Sequence, residues 1–97
     1  MMKGNMIRTR HTLFLSDAAA EHLHKEMGRM PLQDMRYLRI TPTEDGHDFT
    51  YSRIHIGDLV CTERGISLLV QKEFEAGITG MTLDYDGKIY LTRNHHP

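Results

Sequence analysis

Asp58 to Tyr85 reads DLVCTERGISLLVQKEFEAGITGMTLDY, and its order decides the fold. Leu59 to Thr62 and Ile66 to Val70 are apolar runs of strand length, separated by Glu63-Arg64-Gly65, a turn signal. Gln71 to Ala76 reads as a short helix ended by Gly77. Met81 to Tyr85 opens another strand, and Lys88 to Thr92 answers it across Asp86-Gly87, a strong hairpin signal.

Upstream, Thr12 to Leu15 is short and β-compatible. Ser16 can cap a helix that starts at Asp17, whose charge suits the positive end of the helix. Ala19, Leu23 and Met27 form its apolar stripe, with Ala20 and Met30 alongside; Gly28 and Pro31 stop it. Tyr37 to Thr41 and Phe49 to Ile56 read as strands around a break at Pro42 and Asp45-Gly46. One helix cannot cover so many short strands, so a mainly β domain is expected: two small mixed sheets packed as a flattened barrel or sandwich, with an N-terminal helix and one short inserted helix. Residues 1–11 read as a flexible arm, and 12–97 as a single domain with a short mobile C-terminal tail.

Composition narrows function. The 97 residues fit one domain and hold 12 basic and 13 acidic side chains, for a net charge of −1. This balance gives no general attraction for nucleic acid. No apolar run approaches the ~20 residues that span a bilayer, and no signal-type stretch opens the chain, so no membrane association and a cytoplasmic setting are expected. Cys61 is the sole cysteine and forms no internal disulfide. It follows Leu59-Val60, which predicts a buried, inert thiol. No serine elbow, phosphate-cradling loop or dinucleotide fingerprint occurs, and no carboxylate pair is selected by spacing, so enzymatic activity is not expected.

The ordered features together resemble the A-type iron–sulfur carrier family, the IscA/SufA/HesB-like proteins. Leu15-Ser16-Asp17-Ala18-Ala19-Ala20 is similar to that family's alanine-rich helix start, and Leu38-Arg39-Ile40 to its Leu-Arg-Val strand. Gly46-His47-Asp48-Phe49-Thr50-Tyr51 stands where the family has a glycine-cysteine loop leading into a strand. Asp58 to Tyr85 follows the family spacing without a gap, and the likeness spans roughly residues 12 to 95. It implies a HesB-like fold, a homo-oligomer, and iron–sulfur assembly proteins as partners. It also exposes a departure. The family holds its metal through one loop cysteine and a C-terminal Cys-Gly-Cys, whereas His47 (or Gly46) takes the loop position here and the chain reads Asn94-His95-His96-Pro97 at the other.

Thiolates hold clusters because they are soft, anionic donors. One cysteine per chain cannot supply a conventional set, so a divergent carrier without a cysteine-ligated cluster is expected. Imidazole suits mononuclear iron or zinc. His47, His95 and His96 are the candidate ligands, with the restriction that adjacent side chains of an extended segment face opposite ways. The alternatives are a metal-free protein–protein interaction module on the same scaffold and a pH-responsive surface built on the seven histidines. His22 and His24, about 200° apart on the helix, cannot chelate together and read as exposed; His55 reads as the solvent face of its strand.

Overall fold

The structure is a computed structural model that describes residues 13–31 and 35–93, and the backbone of residues 9–10. Eight strands and two helices follow one another as β1 (Thr9–Arg10), β2 (Phe14–Leu15), α1 (Asp17–Gly28), β3 (Tyr37–Pro42), β4 (His47–Ser52), β5 (Asp58–Glu63), β6 (Ile66–Gln71), α2 (Glu75–Ile78), β7 (Thr82–Tyr85) and β8 (Ile89–Thr92). A 3₁₀ turn, Lys72–Phe74, runs into α2. One sheet has the order β1-β5-β6-β3-β4 and the other β2-β7-β8. Both are mixed: β1/β5, β3/β6 and β2/β7 pair parallel, and the three hairpins pair antiparallel. This is the mainly β, two-sheet architecture expected from the alternation.

Alternation sets which side chains meet. Leu38 and Ile40 of β3, Leu59 and Cys61 of β5, and Ile66, Leu68 and Val70 of β6 point to one face, where Leu15 and Leu83 of the smaller sheet join them in a single core cluster. Ala19, Ala20, Leu23 and Met27 of α1 complete that cluster, and α1 packs on β7 and β6. Ser16 caps the helix, its hydroxyl oxygen accepting from the Ala19 amide at 3.1 Å. Val60 and Leu69, opposite each other across β5 and β6, are buried on the other face of the sheet. Buried on both faces, these strands read as continuous apolar runs.

The β5–β6 turn places Arg64 and Gly65 at φ 54° and 80°. Two successive positive values are what a two-residue hairpin matched to strand twist requires. Arg64 is held there from outside the turn: its guanidinium donates to the Leu15 carbonyl (3.2 Å) and pairs with the Asp17 carboxylate (2.5 Å). The turn is thereby fixed to the start of α1.

The structure corrects several boundaries. The strand expected over Phe49 to Ile56 runs instead from His47 to Ser52. Ile54 and Ile56 mimic strand periodicity, but they lie in a connection whose amide at His55 is drawn back to the Asp58 carboxylate, and Ile56 is 79% exposed. In the region read as an arm, Thr9 and Arg10 pair with Val60 and Cys61; the rest of residues 1–11, and the tail from residue 94, lie outside the described residues. The short helix does not stop at Gly77. It continues to Ile78, 2% exposed, because the extra residue seats that side chain in the core. Gly80, at φ 87°, makes the break. The last hairpin turns over Asp86–Lys88 rather than two residues, with the Asp86 amide donating to the Lys88 carbonyl at 3.2 Å.

The two glycines give a paired test. A methyl group at either position would meet nothing within 4 Å, so only backbone preference differs. Gly77→Ala, inside α2, is expected to stabilise the protein by about 0.5–1 kcal/mol. Gly80→Ala is expected to destabilise it by about 1–2 kcal/mol. Urea denaturation of the two variants beside the parent checks the opposite signs.

Candidate functional site

His47 is not a loop residue. It opens β4, opposite Pro42, just after a tight turn in which the Thr43 amide donates to the Gly46 carbonyl (2.9 Å) and the Gly46 amide to the Thr43 hydroxyl (3.0 Å). Its ring is half-buried, tilted toward Phe49 with centroids 6.5 Å apart. β4 lies against β8, the strand that leads to the tail. His95 and His96 are beyond the described residues, so the structure does not bring them to His47 or away from it. Among the described residues, no group of three or more His, Cys, Asp or Glu side chains could hold a metal ion.

Cys61 is 2% exposed, inside the core cluster and opposite Leu68. Its burial matches the sequence reading and keeps its sulfur from a surface site. The other histidines have separate surroundings. His22 stacks on Tyr85, with centroids 3.9 Å apart and planes 12° from parallel. It is half-buried rather than exposed as expected, because β7 places an aromatic ring beside α1. His24 is exposed, its Nε2 3.1 Å from the Arg64 carbonyl. His55 is exposed as expected, but in the β4–β5 connection rather than on a strand.

Two carboxylates organise the polar structure. Asp58, fully buried, faces the side of the large sheet that carries Val60 and Leu69. Its oxygens accept from Arg39 Nη1 and Nη2 (both 2.7 Å), from Gln71 Nε2 (2.6 Å) and from the His55 amide (2.5 Å). Arg39 also donates to the Ser52 hydroxyl and the Arg53 carbonyl. Burial works to raise the Asp58 carboxyl, but the hydrogen bonds from Arg39, His55 and Gln71 and the guanidinium charge outweigh it and hold the group below the usual carboxylate range. Asp84 joins the other sheet to α1. It accepts from the Ser16 hydroxyl (2.7 Å), the Tyr85 amide (2.8 Å) and the Tyr90 hydroxyl (3.2 Å). The Ser16 hydrogen bond, followed by the Tyr85 amide, lowers its carboxyl as well, against a smaller opposing effect of burial. On β4, burial pushes the Tyr51 phenol up to about 12, with the Glu26 charge adding to it, so that hydroxyl stays protonated.

Sequence spacing does not pair Arg39 with Asp58. The available signal was parity. Arg39 lies between Leu38 and Ile40, which face the core, so its charge needed a partner on the opposite face.

No family model and no curated protein matches the chain. Among solved structures it is similar to Escherichia coli SufA, described as involved in biosynthesis of iron–sulfur clusters, at 23% identity and a TM-score of 0.67, covering 84% of this chain and 82% of that one.

The acidic network yields two tests. Asp58→Ala leaves Arg39 without its partner and is expected to cost about 3–5 kcal/mol, read from chemical denaturation. The acid limb of stability follows from the depressed carboxyls. Between their folded pKa values and the ordinary value near 4, the unfolded chain binds more protons than the folded one. The stabilisation from Asp58 and Asp84 is therefore complete above that ordinary value and is lost as pH falls through the lower folded values. Melting temperature is expected to stay level from neutral pH to about pH 5 and to fall steeply below about pH 4, with a shallower fall in Asp58→Asn.

With two mixed sheets, a capped N-terminal helix and a short inserted helix in this order, the chain has the HesB-like fold of SufA.

Proposed function

We propose that this protein is a non-enzymatic, divergent A-type-carrier-like protein of iron–sulfur cluster assembly or iron handling that does not hold a conventional cysteine-ligated cluster. The observation that carries the reading is the SufA-like fold in a chain whose sole cysteine is sealed in the core. Fold alone does not give function, so the donor set decides what cargo fits. A cluster needs several accessible thiolates, and this chain offers none. Imidazole nitrogens suit a single iron or zinc ion.

In this reading, His47 supplies one ligand from the start of β4, and His95 or His96 supplies another from the segment after β8. The contact between β4 and β8 supports pairing these two regions. A cytoplasmic setting agrees with a lone reduced thiol, and among the described residues no helix is long and apolar enough to cross a membrane. The partners proposed are a second copy of the chain and iron–sulfur assembly proteins; no nucleic acid is invoked.

A second reading keeps the scaffold and drops the metal, making the protein an interaction module.

Metal uptake separates the two. Titration with Fe(II) under anaerobic conditions, or with Zn(II), is expected to show about one ion per chain or per dimer, with His47→Ala and the double substitution His95→Ala/His96→Ala each removing it. Metal binding requires deprotonated ligands, so uptake is expected to weaken in acid. No uptake by the parent protein rejects the metal reading, and sulfide-to-iron charge-transfer bands after reconstitution with iron and sulfide reject the exclusion of a cluster.

A further inference from the structure

We propose that β4 is the self-association surface, pairing antiparallel with β4 of a second copy so that Phe49 lies on the two-fold axis. The inference rests on the self-association reading above and names the surface.

β4 is the last strand of its sheet, and among the described residues no strand pairs with its outer side. It is six residues long, against two for β1 and β2 and four for β8, the other strands at sheet edges. Its sequence, HDFTYS, contains none of the lysines, prolines or bulges that ordinarily protect such an edge. The seam beside it is incompletely covered. Phe49 and Tyr51 of β4, with Ile89 and Leu91 of β8, pack against the core yet remain only partly buried.

Hydrogen-bond parity fixes the register. The bond from the Thr43 amide to the Gly46 carbonyl closes the β3–β4 hairpin. Hydrogen-bonded pairs recur every second residue in an antiparallel ladder. Thr41 with Asp48, Arg39 with Thr50 and Tyr37 with Ser52 therefore turn their backbone groups toward each other. His47, Phe49 and Tyr51 present theirs outward. A two-fold axis at Phe49 sets His47 opposite the partner's Tyr51, so that all three outward residues of each copy pair. It joins the two five-stranded sheets into one. On the exposed face it sets Asp48 opposite the partner's Thr50, so no like charges meet. The inward row His47, Phe49 and Tyr51 continues across the axis and covers the half-exposed rings.

The register makes a charge-swap test. Asp48 and Thr50 are both exposed, so substituting them leaves the core untouched. Thr50→Glu would set a carboxylate against the partner's Asp48 at both ends of the ladder, and its new charge would lie opposite Arg39 within its own chain. Sedimentation equilibrium in the presence of a chelator is expected to show a concentration-dependent dimer of the parent, about tenfold weaker association of Thr50→Glu, and recovery in the double substitution Asp48→Lys/Thr50→Glu, where each Lys faces a Glu. Circular dichroism checks that all three share one fold. A dimer unchanged by Thr50→Glu overturns the β4 surface and leaves self-association standing through another. A parent that stays monomeric overturns both, while metal uptake, measured separately, is unaffected by either result.

Discussion

The fold depends on the carboxylate of Asp58. It sits at the first position of β5, fully buried, and receives four hydrogen bonds from β3, β6 and the β4–β5 connection. The backbones of β3 and β5 do not pair; β6 lies between them. Two strand spacings amount to roughly 9–10 Å, and the Arg39 side chain spans that gap over Leu69. The two hairpins of the large sheet, β3–β4 and β5–β6, meet along the parallel seam between β3 and β6. A one-residue slip along that seam would turn Arg39 into the core and Leu38 out of it. A buried ion pair adds little net stability compared with apolar side chains of the same volume, but it strongly penalises arrangements that separate the charges. Here the penalty falls on the misregistered seam. The same carboxylate holds the His55 amide, so the connection leaving β4 turns back at a fixed point and β4 ends at Ser52.

The smaller sheet is joined by two further polar links. The Ser16 hydroxyl accepts from the first turn of α1 and donates to Asp84, so one side chain caps the helix and ties it to β7. Tyr90 brings β8 to the same carboxylate. Arg64 reaches from the β5–β6 turn to Asp17 and to the carbonyl of Leu15. This pair is exposed, so its Coulombic contribution is small. Its geometric effect is to keep a non-glycine residue at positive φ, where the hairpin needs it. Ser16 lies at a helix start and Arg64 in a turn, where backbone groups would otherwise lack partners.

Much of this was readable from the chain, for local reasons. Ser16-Asp17 marks a helix start, Glu63-Arg64-Gly65 a turn (Glu63 proves to pair with Ile66 as the last residue of β5), and Leu38-Arg39-Ile40 a one-sided strand; each signal resides within a few residues. The errors arise where distant contacts decide. Ile54 and Ile56 alternate like a strand, and only the pull of Asp58 on the His55 amide shows that they belong to a turn. Gly77 looks like a helix stop until the core claims Ile78. Concerning the candidate site, the sequence placed Cys61 within the core but put His47 in a loop, whereas it opens β4 directly after the turn. It could not show His22 stacked on Tyr85, 63 positions away, or Arg39 bonded to a carboxylate two strands over. The stacking leaves no periodic trace, and parity shows only that Arg39 faces away from the core without naming its partner.

These contacts bear on how a carrier-like fold could exist without its thiolates. Among the described residues, the contacts that set the register of the β3–β6 seam and close the core do not involve His47. Asp58, Asp84 and the apolar cluster lie on the strands and helices and Arg64 in the β5–β6 turn, whereas His47 is at the turn end of the β3–β4 hairpin. A ligand at the end of a hairpin contributes to folding only through the metal it binds. A change at such a position alters chemistry without opening a cavity or stranding a buried charge, the two changes that unfold small domains. The contacts that hold this HesB-like fold together are therefore energetically separable from the residues at the β3–β4 turn.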